Sequence, residues 1–199
     1  MKAVKEIELK AHVTDRTSLI AKLNKFAHFC GEVTRDDSYW ALPSSEHKMP
    51  SIRIRQEKNN SKNTQRTLIT YKRKEVRKSS DGVSSEVNEE LETQIENALP
   101  LEAFLKDSQC RLRLTKHKDI MAWTLSLEDF NLPGKSATLE LCTVPPLGDF
   151  LEIEILCDAS ESDKEKECQQ TLVLILDKLA IPHSDIEPRY YSELLATYQ

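Results

Sequence analysis

The sequence predicts an α+β domain in which an antiparallel sheet closes into a barrel with a charged interior. Predicted strands outnumber predicted helices by more than two to one, and the connections between them have the length of hairpin turns. Four strands alternate charged and apolar residues, and each carries mainly one sign of charge. A chain of 199 residues, 39% apolar and 31% charged, fits a single domain over residues 1–199.

The first predicted strand alternates Glu6, Glu8 and Lys10 with Ile7 and Leu9. Side chains two residues apart on a strand point to the same side and lie about 6.5–7 Å apart, so the two carboxylates could share a divalent cation. An amphipathic strand with its charges in water would show the same pattern. The motif alone leaves both interpretations open.

Three helices are predicted from apolar residues that recur with helical spacing. The first covers residues 18–29, with Asp15 or Thr17 as its N-cap. A shorter helix is predicted over residues 95–105, interrupted by a proline, and a clear amphipathic helix over residues 165–179. The two long helices have apolar stripes wide enough to cover the outside of a barrel.

The remaining strands show a period of two between turn signals. The two strands rich in Arg and Lys, residues 52–55 and 68–74, are predicted to form a hairpin, and the first of them carries Arg53 and Arg55. Pro133 and Gly134 mark the turn between two later strands. After the first strand, the predicted strands span residues 32–40, 52–55, 68–74, 86–93, 110–114, 121–127, 137–144 and 151–155.

Charge type is sorted by strand, and this sorting needs a physical reason. Like charges that face each other across strands are destabilising, so an object of opposite sign is expected between the strands. A metal ion bound to a polyphosphate suits both the carboxylate pairs and the rows of Arg and Lys. A barrel with a polar interior would gather these faces around such a ligand. The alternative is the inverted sheet, with its apolar face in a core and its charges in water.

Composition weighs against other classes of function. Residues 48–78 hold eleven basic and two acidic residues, which raises the hypothesis of a nucleic-acid binder. Tyr71 is the one aromatic residue interleaved there, and the net charge of −5 would repel a polyanion, so we expect no nucleic-acid partner. We predict neither a signal peptide nor a membrane span, and the five scattered cysteines indicate free thiols in the cytoplasm.

Taken together, the motifs resemble the CYTH domain, the triphosphate tunnel metalloenzymes that include class IV adenylyl cyclases and thiamine triphosphatases. The resemblance covers almost the whole chain. It rests on the ExExK motif, an RxR strand, a TxK strand and the block LGDFLEIE at residues 147–154. Residues 187–195 resemble the EPRSY-type segment of class IV cyclases. The resemblance implies an eight-stranded antiparallel barrel with helices outside and an open tunnel within.

The resemblance also implies roles for individual residues. Those expected to carry catalysis are Glu6, Glu8, Lys10, Arg53, Arg55 and Lys72. The phosphate is expected to contact Lys10, Arg53, Arg55, Lys72, Arg189 and a later basic pair, either Lys116 with Lys118 or Arg111 with Arg113. The expected ligands of Mg²⁺ or Mn²⁺ are Glu6, Glu8, Glu90, Glu92, Glu128, Glu152 and Glu154, with Glu86 and Asp129 as alternatives.

The expected function is that of an enzyme on a small-molecule triphosphate: ATP, tripolyphosphate or thiamine triphosphate. Attack by the ribose hydroxyl at the α-phosphorus would give cyclic AMP and pyrophosphate, whereas attack by water at the terminal phosphate would make the enzyme a triphosphatase. The C-terminal segment favours the class IV cyclase. The alternatives are a tripolyphosphatase or thiamine triphosphatase and a non-catalytic nucleotide or polyphosphate-binding module. Either a monomer or a homodimer is expected.

Overall fold

Eight antiparallel strands form a closed barrel in the computed structural model of the chain, which describes residues 4–41, 51–78, 84–158 and 162–198. Around the barrel the strands follow the order β1-β5-β4-β3-β2-β6-β7-β8, and β8 pairs again with β1. The predicted fold class is therefore confirmed. The strands are β1 Val4–His12, β2 His28–Ala41, β3 Ser51–Asn59, β4 Thr64–Lys78, β5 Ser84–Ile95, β6 Arg111–Ser126, β7 Ser136–Val144 and β8 Gly148–Asp158.

Four helices accompany the barrel: α1 Arg16–Phe26, α2 Leu99–Asp107, α3 Ser162–Lys178 and α4 Tyr191–Ala196. Asp15 caps α1 by accepting a hydrogen bond from the Ser18 amide at 2.9 Å. Among the described helices, none is long and apolar enough to cross a membrane.

The main apolar core lies outside the barrel wall. Outward side chains of β1, β7 and β8 pack under α1 and α3, so these two helices cover the barrel as predicted. A second cluster joins Trp40 and Ile54 to α2. Since the residues of β1, β7 and β8 in this main core face outward, the alternate residues of those strands are directed into the barrel.

Three predicted boundaries were wrong. The first helix ends at Phe26, because Ala27 is extended and the next residues join β2. The stretch 95–98 does not begin α2, since β5 continues to Ile95 and Pro100 lies in the first turn of α2, where its missing N–H costs little. The two strands predicted over 110–114 and 121–127 are one strand, β6. The middle of this strand has no alternation of polar and apolar residues, because the stretch from Lys116 to Asp119 is polar on both faces.

Candidate active site

The ExExK motif of β1 faces the barrel interior. Ile7 is fully buried in the outer core, so Glu6, Glu8 and Lys10 lie on the opposite, inward face. Lys10 is only 4% exposed. Strand register places Glu8 opposite Glu154 and Lys10 opposite Glu152 on β8. The alternation read from the sequence therefore describes the orientation of this strand correctly.

Three carboxylate positions align at one level of the wall. Glu8 on β1 lies opposite Glu154 on one side and opposite Glu86 of β5 on the other, although the side chains of residues 72–90 fall outside the described part of the structure. Directly opposed like charges destabilise a sheet unless a cation lies between them. Carboxylate oxygens are the ligands that Mg²⁺ and Mn²⁺ prefer, so this row fits such an ion.

Arg55 on β3 is held by a buried aspartate that the sequence analysis missed. Its Nε and Nη2 atoms donate to the two carboxylate oxygens of Asp37 on β2 at 2.7 and 3.0 Å, and Lys116 Nζ lies 3.2 Å from the same group. Burial alone would raise the pKa of Asp37, but Lys116 and Arg55 lower it well below its usual range. Asp37 thus stays ionised and fixes the plane of the guanidinium.

Arg35 on β2 joins two further carboxylates. It donates to Glu57 at 2.7 Å and through both terminal nitrogens to Glu140 on β7 at 2.6 and 2.8 Å. Arg66 completes the group by donating to Glu57 at 2.7 Å. None of these four residues was predicted as part of the site. Their inward orientation follows from the strands. Arg35 lies two residues before Asp37, on the same face of β2, and Glu140 lies opposite the inward-facing Glu152 in the β7–β8 pair.

Lys118 and Glu152 form a buried ion pair on the inner wall. Lys118 Nζ donates to both carboxylate oxygens of Glu152 at 2.5 and 2.7 Å. Burial raises the pKa of Glu152, but Lys118 and Lys116 outweigh it and lower that pKa well below its usual value. One ligand atom each from Glu140, Cys142 and Glu152 lies within 4.8 Å of the others, a possible metal cluster. Cations already contact both of its carboxylates.

The two later basic pairs lie in different environments. Lys116 and Lys118 are 8% and 4% exposed and lie inside the barrel, whereas Arg111 and Arg113 are exposed at the beginning of β6. Lys116 and Lys118 thus share the barrel interior with Lys10 and Arg55, two of the other predicted phosphate contacts.

On the β3–β5 side, Arg53 and Glu92 meet through Thr70. Arg53 donates to the Thr70 hydroxyl at 2.9 Å, and that hydroxyl donates to Glu92 at 2.7 Å. Arg53 itself lies 3.4 Å from Glu92. Lys72 and Glu90 are paired with each other two residues away from Thr70 and Glu92, on β4 and β5. Their side chains lie outside the described part of the structure. Glu92 thus contacts a phosphate-binding candidate rather than the carboxylate row.

Glu128 does not lie on the barrel wall. It is exposed on a short 3-10 turn, Glu128–Phe130, that follows β6, and so is its neighbour Asp129. The preceding Leu127 is fully buried in the outer core, which leaves both carboxylates in solvent. The carboxylate that β7 contributes to the interior is Glu140.

The C-terminal segment returns to β1. The Glu187 amide donates to the Lys10 carbonyl at 2.8 Å, and Lys10 Nζ donates to the Arg189 carbonyl at 2.7 Å. The Arg189 guanidinium is 59% exposed and pairs with Glu187 at 2.6 Å. Glu187 also contacts His12 at 3.2 Å. The segment that resembles the cyclase terminus is therefore tied to the ExExK strand.

Glu187 should contribute to the acid sensitivity of the fold. Hydrogen bonds from Arg189 and His12 lower its pKa from 4.5 to about 2. A carboxyl whose pKa is lower in the folded state stabilises that state above pH 4.5, and this contribution is lost as the pH falls towards 2. Glu187→Gln should therefore lose less stability than the wild type between these pH values, measured by urea unfolding. Parallel losses in the two proteins would contradict this assignment.

Comparisons with known proteins bear on the family and the fold of the chain. A family model described as the CYTH domain matches residues 4–191. No curated protein matches the chain. Among solved structures, the PH1819 protein of Pyrococcus horikoshii is 24% identical, with 98% of this chain and 99% of that chain covered and a TM-score of 0.77.

Two further structures carry functional names. A candidate adenylate cyclase of Vibrio parahaemolyticus is 16% identical, with coverage of 96% and 97% and a TM-score of 0.69. The candidate adenylyl cyclase HpAC1 of Hippeastrum, described as having a dominant triphosphatase activity, is 16% identical, with coverage of 94% and 90% and a TM-score of 0.59. These likenesses show a shared fold.

Proposed function

Because the chain belongs to the CYTH domain family, a metal-dependent family that acts on triphosphates, we propose that it is a divalent-metal-dependent enzyme that converts ATP to cyclic AMP and pyrophosphate. The observation that carries this proposal is the inner face of the barrel. It presents carboxylates from β1, β7 and β8 and cations from β2, β3 and β6 around one interior. A metal–triphosphate complex needs both kinds of contact.

We assign the metal to Glu8 and Glu154, with Glu6 on the same face. Glu152 is a weaker candidate, since Lys118 already neutralises it at 2.5 and 2.7 Å. The all-oxygen donor set suits Mg²⁺ or Mn²⁺. A bound ion would neutralise charge on the phosphate oxygens and polarise the phosphorus–oxygen bonds.

The cations have separate tasks. Arg55, aligned by Asp37, offers a fixed guanidinium to phosphate oxygens, and Arg53, on the same face of β3, offers a second. Lys10 and Lys116 supply point charges from β1 and β6. Lys72 is assigned to the same group from its position in the TxK strand. These residues bind and orient the triphosphate and so bring the reacting oxygen and the phosphorus into line.

Hydrolysis of a terminal phosphate is the second candidate function. The HpAC1 structure supports it, since that protein shares the fold and is described as having a dominant triphosphatase activity. The cyclase is favoured by the C-terminal segment, which is tied to Lys10 at the site. A polyphosphate or nucleotide-binding module without turnover would use the same residues.

Product analysis distinguishes these functions. The protein is incubated in parallel with ATP, tripolyphosphate and thiamine triphosphate, each with Mn²⁺ or Mg²⁺, and the products are separated by chromatography. We expect cyclic AMP and pyrophosphate from ATP. Orthophosphate from any of the three would assign a triphosphatase instead. Absence of turnover with all three, at any pH from about 7 to 10, would contradict an enzyme.

A further inference from the structure

Two of the five cysteines meet on the outside of the barrel wall. Cys157 lies near the end of β8 and Cys168 in the first half of α3, and both side chains are buried in the main apolar core. Their sulfur atoms are 2.7 Å apart, and both cysteines are free thiols. Because the two residues belong to different elements and form no CxxC motif, the sequence pattern does not indicate this contact.

An ion pair holds the same end of α3 to the wall. Lys5 on β1 is the partner of Cys157 in the β1–β8 register, and its Nζ lies 3.4 Å from a carboxylate oxygen of Glu165. Glu165 is buried and precedes Cys168 by three residues, so the two lie on the same side of the helix. The thiol pair therefore lies where β1, β8 and α3 come together, at the strand pair that closes the barrel.

The other three cysteines lie elsewhere in the fold. Cys142 alternates on β7 with Leu141, which belongs to the outer core, so its thiol faces the barrel interior, on the opposite side of the wall from Cys157. Cys30 is exposed near the start of β2, and Cys110 precedes β6. Cys157 and Cys168 are thus the two thiols that the fold brings together.

We propose that Cys157 and Cys168 are a site of covalent modification, at which a hydroperoxide oxidises the two thiols to a disulfide that fastens α3 to β8. The inference rests on the fold and not on the proposed function. A disulfide bond is about 2.05 Å long, so closure from 2.7 Å requires the two sulfur atoms to approach by only about 0.6–0.7 Å. Hydrogen peroxide suits this buried site, because it is small and uncharged.

One molecule of hydrogen peroxide balances the reaction. The sulfur of the first thiol attacks a peroxide oxygen, the O–O bond breaks, and the products are a sulfenic acid and water. The sulfur of the second thiol then attacks the sulfenic sulfur, the S–S bond forms, and the S–O bond breaks to release a second water. The two sulfurs are oxidised by two electrons in total, and the two thiol protons end in the two waters.

The environment of the thiols sets the speed of this reaction. The hydrogen bond with Cys157 and burial raise the pKa of the Cys168 thiol, so little of its thiolate is present at neutral pH. Since the thiolate is the reactive form, we expect oxidation over hours rather than seconds and faster oxidation as the pH rises.

The test compares the wild type treated with equimolar hydrogen peroxide with the same protein kept in dithiothreitol. After proteolysis, mass spectrometry should find the peptides of Cys157 and Cys168 joined, with the loss of two hydrogens. Closing the short loop restricts the unfolded chain, so circular dichroism should show a melting temperature higher by about 5–10 °C. Cys168→Ala should show neither change. Cys30→Ala, which removes an exposed thiol, should show both.

Each outcome decides one part of the inference. Unjoined Cys157 and Cys168 after treatment, or either of them joined to another cysteine, would overturn the disulfide. Joined cysteines without a rise in melting temperature would overturn its role in fastening α3. If Cys168→Ala does not fold, Cys157→Ala replaces it, and the peptide analysis of the wild type needs no variant. A full rise in melting temperature in a folded Cys168→Ala or Cys157→Ala variant would also contradict the assignment.

Discussion

Replacing Glu8 with glutamine is expected to reduce metal-dependent turnover of the triphosphate by more than about 100-fold. Glutamine keeps the size of the side chain but removes the charge that draws a divalent ion to the row formed with Glu154. The loss should appear with Mn²⁺ and with Mg²⁺ and should be only partly recovered at high metal concentration. Initial rates as a function of metal concentration measure it.

The matched control is Glu128→Gln. Glu128 was also a candidate metal ligand, but it is exposed on the turn after β6, so this variant should retain wild-type turnover. Equal losses in the two variants would indicate a general sensitivity to lost negative charge. Wild-type rates in Glu8→Gln would remove Glu8 from the metal site.

Asp37→Asn is expected to have the largest effect on stability. The Asp37 side chain is fully buried and balances both Arg55 and Lys116. Asparagine would fit the space but would leave two buried cations without a counter-charge. Removing one partner of a buried ion pair typically costs about 3–5 kcal/mol, so the free energy of unfolding should fall by about that amount. Urea unfolding at neutral pH measures it.

The adjacent residue provides the control. Asp36 points outward, is 63% exposed and pairs with His117 on the barrel surface. Asp36→Asn should change the free energy of unfolding by less than about 1 kcal/mol, because exposed ion pairs contribute little. A difference of less than 1 kcal/mol between the two variants would show that the Asp37 pairs are not buried as described.

The sequence was most informative where the two faces of a strand differ in chemistry. Glu6 and Glu8 alternate with Ile7 and Leu9, and Arg53 and Arg55 with Ile52 and Ile54, so periodicity alone indicates which residues share a face. The closed barrel then turns those faces inward, as the sorted charges suggested. The two faces of β2 do not differ in this way, because Asp36 on the outer face is as polar as Arg35 and Asp37 on the inner face. Periodicity therefore does not indicate which of these residues face the interior.

The partners of each charge could not be predicted, because they depend on register between strands distant in sequence. Arg35 contacts Glu140, which is 105 residues away, and Lys10 reaches the Arg189 carbonyl 179 residues away. Glu128 was misplaced for a different, local reason. It follows the strand predicted over 121–127 closely in sequence, but the chain has already turned away from the barrel there.

The central claim is that metal and triphosphate bind together in the charged interior. It is tested most directly by titrating a non-hydrolysable imido analogue of tripolyphosphate into the protein with and without Mn²⁺. Coupled sites raise each other's affinity by the same factor, so Mn²⁺ should tighten binding of the analogue at least about tenfold in the wild type and much less in Glu8→Gln. Equal affinity with and without Mn²⁺, or equal enhancement in Glu8→Gln, would contradict the claim.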